Sequence, residues 1–314
     1  MKKLYSLMLL CAAIIFVTGC SKDDDNNSTP TPVSVSGVTL DKTTLTIEMG
    51  QTATLIATVS PENTADKSVT WSNDKTDIAT VKDGVVTAVA VGTATITVTS
   101  VADATKKATC TVTVEASKFI EVNGVKVAVG NLVADGDHGA KIGTATDGGL
   151  YFQFGSLIGW STEDPLTVAV SPAGYTSTTW NTSWAGDPAT DDAVSGKGDP
   201  CRYYLGEPWR LPTKEEYAAL FNNVTDGKYA NSGGWSWDAT ANSAANSTKN
   251  LTFPASGSRD SNGGSLRYVG TYGYCWSASP YGASSGFGLS FGGSGVFPSG
   301  SGSQASGFPV RCVN

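Results

Sequence analysis

A chain of 314 residues with a formal charge of −7 has the length of two ordinary domains, and its acidic balance argues against a phosphate-binding, nucleic-acid surface. Its single histidine, His138, nearly excludes histidine-based catalysis and histidine-rich metal sites. No glycine-rich loop follows a strand and opens a helix, and the glycines of the tail lack the lysine that a phosphate cradle needs.

The chain opens with Lys2 and Lys3, an apolar run from Leu7 to Val17, and then Val17-Thr18-Gly19-Cys20. A basic end, a short apolar core and small residues before a cut make an export signal, too short for a stable membrane span. The tetrapeptide resembles the lipobox of bacterial lipoproteins, which implies a signal over 1–19 and lipid on Cys20. Ser21-Lys22-Asp23-Asp24-Asp25 looks like the acidic signal that sends lipoproteins of Bacteroidetes to the outer face of the outer membrane. Residues 20–34, polar and broken by Pro30 and Pro32, read as a disordered tether. Of the six cysteines, Cys110, Cys201, Cys275 and Cys312 remain in a compartment where disulfides persist. Four cysteines allow three full pairings, and spacing does not choose among them.

From 35 to 115 the pattern is one of short β-rich runs: Val38–Leu40, Leu45–Ile47, Ala53–Val59, Val69–Trp71, Ala79–Val81, Thr93–Val98 and Thr109–Val114. Gly50, Pro61-Glu62-Asn63, Asp83-Gly84 and Gly92 part them, which describes an all-β sandwich with Trp71 as its one indole. The series Val38-Thr39-Leu40-Asp41, Gly50-Gln51-Thr52, Val69-Thr70-Trp71-Ser72, Ile78-Ala79-Thr80-Val81, Gly84 to Ala88 and Gly92 to Val98 resembles the bacterial Ig-like group 2 domain. That resemblance implies a spacer. Cys110, with no partner nearby, reads as a buried thiol.

Beyond a join at 116–118, a second domain covers 119–314. Phe119 to Val129 is another alternating run, followed by Tyr151-Phe152-Gln153-Phe154-Gly155 and Gly159-Trp160. Ser161 to Pro200 is mostly turn-forming and reads as a long loop pinned by Trp180 and Trp184. Its aspartates, Asp187, Asp191, Asp192 and Asp199, are scattered, and no metal site is expected from them. Thr213 and Glu216 form a capping box for a helix with Tyr217, Leu220 and Phe221 on its apolar face, ended by Asn222-Asn223. Glu215 and Glu216 are explained by helix-start electrostatics more simply than by acid–base chemistry. Asp238 to Asn250 reads as a polar loop, and Leu251 to Arg259 as extended.

The stretch 263–313 is rich in Gly and Ser and contains no Lys, Asp, Glu or Asn. Phe287, Leu289 and Phe291 alternate with Gly288, Ser290 and Gly292, the period of a strand with one packed side. Tyr with Ser and Gly is the chemistry of contact loops, where rigid amphipathic anchors stand beside small neighbours. The ligand-binding residues expected here are Tyr272, Tyr274, Tyr281, Ser284, Ser285, Phe287, Ser290, Phe297, Ser301 and Ser303.

Taken in order, Tyr151 to Gly155, Trp209-Arg210-Leu211-Pro212-Thr213 with Glu216, Pro254 to Arg259, Cys275-Trp276-Ser277-Ala278-Ser279 and Val310-Arg311-Cys312-Val313 resemble the Fibrobacter succinogenes major paralogous domain. This is a relative of the C-type-lectin-like and formylglycine-generating-enzyme-like folds. The resemblance implies an α+β domain framed by Trp209, Arg210, Leu211, Pro212, Glu216, Trp276 and Arg311, with a Cys201–Cys312 bridge. The active-site cysteine pair of the enzymes has no match, and Glu207-Pro208 is followed by Trp209 rather than by a calcium-lectin motif.

The tail also looks like the variable region of targets of diversity-generating retroelements. Ser284, Ser285, Phe287, Gly288, Ser290, Gly292, Gly295, Phe297, Gly300, Ser301, Gly302, Ser303 and Ser306 are all reachable from an Asn codon by changes at its adenines. The reading is a monomeric surface lipoprotein, held to the membrane by lipid alone, with no cofactor, metal or catalytic residue. It would bind an unknown macromolecular or glycan ligand. The alternatives are a structural surface or pilus-tip component and, behind it, an enzyme of the same fold.

Overall fold

The computed structural model describes residues 32–136 and 138–314; the expected signal, the lipidated Cys20 and the tether through 31 lie outside the described residues. No helix among the described residues is long and apolar enough to cross a membrane.

The N-terminal unit is built of strands. Thr44–Glu48, Lys107–Glu115, Gly92–Ser100 and Val69–Asn73 form a four-stranded sheet in that order, the first pair parallel. Thr52–Thr54, Val85–Ala88 and Ala79–Lys82 form a three-stranded sheet, and Gly37–Leu40 pairs with Ala57–Ser60. Period-2 alternation turns Ala94, Ile96, Val98, Cys110, Val112 and Val114 inward to make the core. Two details differ from the sequence reading. Ala53–Val59 is two strands, because Leu55 donates to Gly84 and Ile56 donates to the Asp41 carboxylate, so the chain changes partners there. Asp83-Gly84 does more than separate runs: both residues have positive φ, and the register Lys82↔Val85 makes them the two-residue turn of a hairpin.

Strands also dominate the regular structure of the second unit, which has two short α-helices, α1 (Pro200–Leu205) and α2 (Lys214–Leu220). Phe119–Val129 is a hairpin, Phe119–Val122 against Val125–Ala128, turned by Asn123-Gly124 with positive φ at both residues. The expected loops carry structure as well. Val168–Val170, Asp191–Asp192 and Lys197–Gly198 are strands within 161–200, and Ser243–Asn246 is the middle strand of a meander within 238–250. Polar composition concealed that strand, whose Ser243, Ala244 and Asn246 are buried. In a six-stranded sheet, Gly307–Phe308 lies between Tyr151–Gln153 and Ser258–Arg259, so the tail of the chain is threaded into the middle of the domain. Val310, Cys312 and Val313 then bond to Leu132, Ala128 and Arg210.

Tyr272–Tyr281, Ser285–Gly292 and Gly295–Ser303 form an antiparallel three-stranded sheet, called here the C-terminal sheet. Cys275, Leu289, Phe291 and Val296 enter one core with Tyr217 and Leu220 of α2, Trp235 and Phe253. Trp276 points the other way, into a second core with Phe152, Phe154, Leu211 and Phe308. The sheet is therefore buried on one side and half-covered on the other.

Candidate functional site

The frame around the C-terminal sheet is rigid for identifiable reasons. Thr213 and Glu216 form the capping box of α2, and Glu216 also takes two hydrogen bonds from Arg210 at 2.7 and 2.6 Å. The Arg210 guanidinium holds the Glu216 carboxyl below its ordinary range, which makes Glu216 a fixed acceptor rather than a proton donor. Arg210 exchanges backbone bonds with Val313, and Ala278 donates to Pro212, so Trp209-Arg210-Leu211-Pro212 joins the helix to the end of the chain and to the sheet. Cys201, in the first turn of α1, is disulfide-bonded to Cys312, 111 residues away. Arg311 is fully buried, and no carboxylate among the described residues pairs with it. It donates to Asn131, Ala128 and Thr252 and lies 4.3 Å from the Phe253 ring centroid, and burial lowers its pKa to about 10.

The expected ligand residues do not share one surface. The pairings Tyr274↔Ser290↔Phe297 place three of them in one row across the sheet, with Tyr272 beside it. Alternation sends Tyr281, Ser285, Phe287, Ser301 and Ser303 to the opposite side, joined by the pairs Tyr281↔Ser285↔Ser303 and Phe287↔Ser301. Phe287 shares the side of Leu289 and Phe291, yet it does not join their core. It is half-buried, with the Tyr281 ring 4.8 Å away and the Lys214 ammonium 4.5 Å from its centroid. Tyr281 and Phe297 are 54% and 50% exposed, and Ser284, Ser301 and Ser303 are exposed too. Tyr274 is half-buried and stacks on Phe308, which stacks on Trp276, with centroids 4.8 and 4.1 Å apart, so its ring is partly structural.

The freely exchangeable tail also needs correction at its glycines. A Cβ on Gly288 would lie 2.7 Å from the Cys275 carbonyl oxygen, and one on Gly295 would lie 2.1 Å from that of Gly227. On Gly292 it would strike the Tyr272 ring at 2.7 Å, and on Gly302 the Phe308 ring at 2.9 Å. At Gly300 the nearest obstacle is the Ser290 hydroxyl at 2.9 Å, which can rotate away, with the Gly288 carbonyl oxygen behind it at 3.3 Å. Most of these glycines are small because something crosses them, so the positions able to change are the serines and phenylalanines.

Sequence reasoning missed Asp199, which caps α1 through the Cys201 and Arg202 amides and also accepts from Leu211 at 2.7 Å. Asp-Pro before a helix is a readable start signal, and the reading of 161–200 as loop obscured it. Burial pushes the Asp199 carboxyl up to about 6, against the pull of the Leu211, Arg202 and Cys201 amides and the Arg202 charge. Asp191 pairs with Arg202, while Asp187 and Asp192 cap the turns at Ala189 and Val194. Among the described residues no three His, Cys, Asp or Glu converge as metal ligands. Cys110 and Cys275 are buried free thiols, and burial raises both, Cys275 to about 12.

The architecture of the N-terminal unit defines its class: residues 34–112 form a bacterial Ig-like domain of group 2. Relatives share this kind of segment within longer proteins. A 3-O-alpha-D-galactosyl-alpha-L-arabinofuranosidase of Bifidobacterium longum is 42% identical over 26% of this chain and 8% of its own length. An uncharacterised protein of Clostridium acetobutylicum is 32% identical over 48% of this chain and 15% of its own. An Ig-like virion protein of Serratia phage KSP90 is 44% identical over 26% of this chain and 32% of its own.

Proposed function

We propose that this chain is a cell-surface lipoprotein whose Ig-like domain carries a C-terminal C-type-lectin-like module, and that the C-terminal sheet of this module binds a macromolecular or glycan ligand. The observation that carries the reading is the contrast within that sheet. Cys275, Leu289, Phe291 and Val296 are at most 2% exposed, while Tyr272, Tyr281 and Phe297 stand in solvent on the same strands. Large rings held out by a fixed backbone lose little side-chain entropy on binding, which makes them suited to be anchors. Glycosidase and virion relatives that share the Ig-like segment support its reading as a module that accompanies other functions.

The outward serines and phenylalanines can change without altering the core, which favours diversification of the tail by a retroelement. Neighbouring DNA with a reverse transcriptase and a near-copy of the 3′ coding end is the expected accompaniment; its absence removes that part of the proposal. For the binding role, a Tyr281→Ala, Phe287→Ala, Phe297→Ala variant should lose attachment to target cells or surfaces while keeping its melting temperature. Undiminished attachment would overturn the reading.

A further inference from the structure

Tyr274, Ser290 and Phe297 are directly opposed on three adjacent strands. Neighbouring strands lie about 4.8 Å apart, so the two aromatic residues stand roughly 10 Å from each other with a serine between them. The result is a groove of about 170 Å³ walled by Tyr272, Tyr274 and Phe297. Its floor is Ser290 with Gly292 and Gly295, and among the described residues no carboxylate or cation lines it. The Ser290 side chain on that floor is half-buried.

The groove continues on one side. Tyr268 meets the Tyr272 ring edge to face at 5.7 Å and is 58% exposed. Its φ is 61°, a conformation that costs a bulky residue energy and persists only when its surroundings impose it. The imposing contacts are present: Gly270 donates to Ala255, Gly257 donates to Tyr272, and a Cβ on Gly257 would come within 2.1 Å of the Arg267 carbonyl. Tyr268 is thus held out beside the groove as a fixed wing.

We propose, resting on the binding role above, that this groove takes the ring of an uncharged sugar within a polysaccharide, and that Tyr268 contacts the next unit of the chain. A pyranose offers an apolar C–H face for the Tyr272 and Phe297 rings and hydroxyl edges for Ser290 and the tyrosine phenols. An acidic ligand finds no cation in the groove on a chain of charge −7, and a basic one finds no carboxylate there. An aromatic side chain of a peptide would fill the space while offering the Ser290 hydroxyl no hydrogen bond, which is unfavourable once water is excluded.

The test is affinity electrophoresis of the full chain through gels containing glucan, mannan, galactan or xylan, with polygalacturonate as the charged control. At least one neutral polymer should retard the wild type, equally at low and high salt. Phe297→Ala and Tyr268→Ala should each weaken that retardation about tenfold without lowering the melting temperature, and Ser299→Ala, at an exposed position outside the groove, should leave it unchanged. Retardation by the acidic polymer alone, or by a neutral polymer but unaltered in both aromatic variants, overturns the proposal. So does cell attachment that is lost in the triple variant yet is not competed by any neutral polymer. That last outcome points to a protein ligand and leaves the binding role standing, whereas no attachment at all would remove both.

Discussion

Asp199 shows how a single buried carboxyl can organise its neighbourhood. It ties α1, the Leu211 segment and, through its own amide, Asp191 together. Its folded pKa of about 6 lies above the ordinary 3.8, so the folded state binds the proton more tightly than the unfolded chain does. Stability from this group is therefore greatest in acid and falls as pH rises through the interval between those values. The loss is on the order of 3 kcal/mol at most, because a tenfold difference in proton affinity corresponds to about 1.4 kcal/mol. Denaturant titrations from pH 4 to 7 should show this slope in the wild type and its absence in Asp199→Asn. The two free thiols give a second expectation at this scale. Buried, with the Cys275 thiol raised to about 12, neither Cys110 nor Cys275 should react with maleimide at neutral pH until the protein is unfolded, as peptide mass spectrometry would read.

At the scale of elements, the C-terminal sheet explains a composition that elsewhere means flexible linker. Its glycines lie under aromatic rings and against carbonyls, while its large residues alternate into two cores. Gly295→Ala should accordingly cost about 1–3 kcal/mol through overpacking and backbone strain, since φ there is 156° and the Gly227 carbonyl occupies the place of the Cβ. Ser299→Ala, at an exposed position of the same strand, should stay within about 0.5 kcal/mol. Equal effects in thermal melts would remove the distinction between fixed and exchangeable positions. Phe287 teaches the same lesson about patterning. Its period placed it with Leu289 and Phe291, and only contact with Tyr281 and Lys214 reveals that it lies at the rim.

For the whole molecule, the closing of the second unit by its own tail is the main constraint. The hairpin at 119–128 bonds to residues 312 and 314, and the Cys201–Cys312 bridge closes a loop of 111 residues over the same region. Loops of this length give the largest reduction in unfolded-state freedom. Replacing both cysteines with serine should destabilise the C-terminal unit by about 2–5 kcal/mol. The Ig-like unit, whose core is built from 35–115, should keep its own melting transition. Calorimetry of the two forms would show one transition moving and one staying; a common shift would mean that the units unfold together.

Most of the short β runs of the Ig-like unit and the capped start of α2 were legible in the sequence, because both depend on residues two to four positions apart. Alternation, turn residues and a capping box are local codes, and reading them requires no partner. The strand at 243–246, the helix after Asp199 and the division of the site residues between two sides of one sheet were decided by the tertiary structure. Spacing likewise leaves the cysteine pairing open among three arrangements, and the fold brings Cys201 to Cys312. A glycine carries no sign of the ring or carbonyl that lies over it, and neither burial nor exposure of an aromatic residue can be known until the atoms from distant segments arrive.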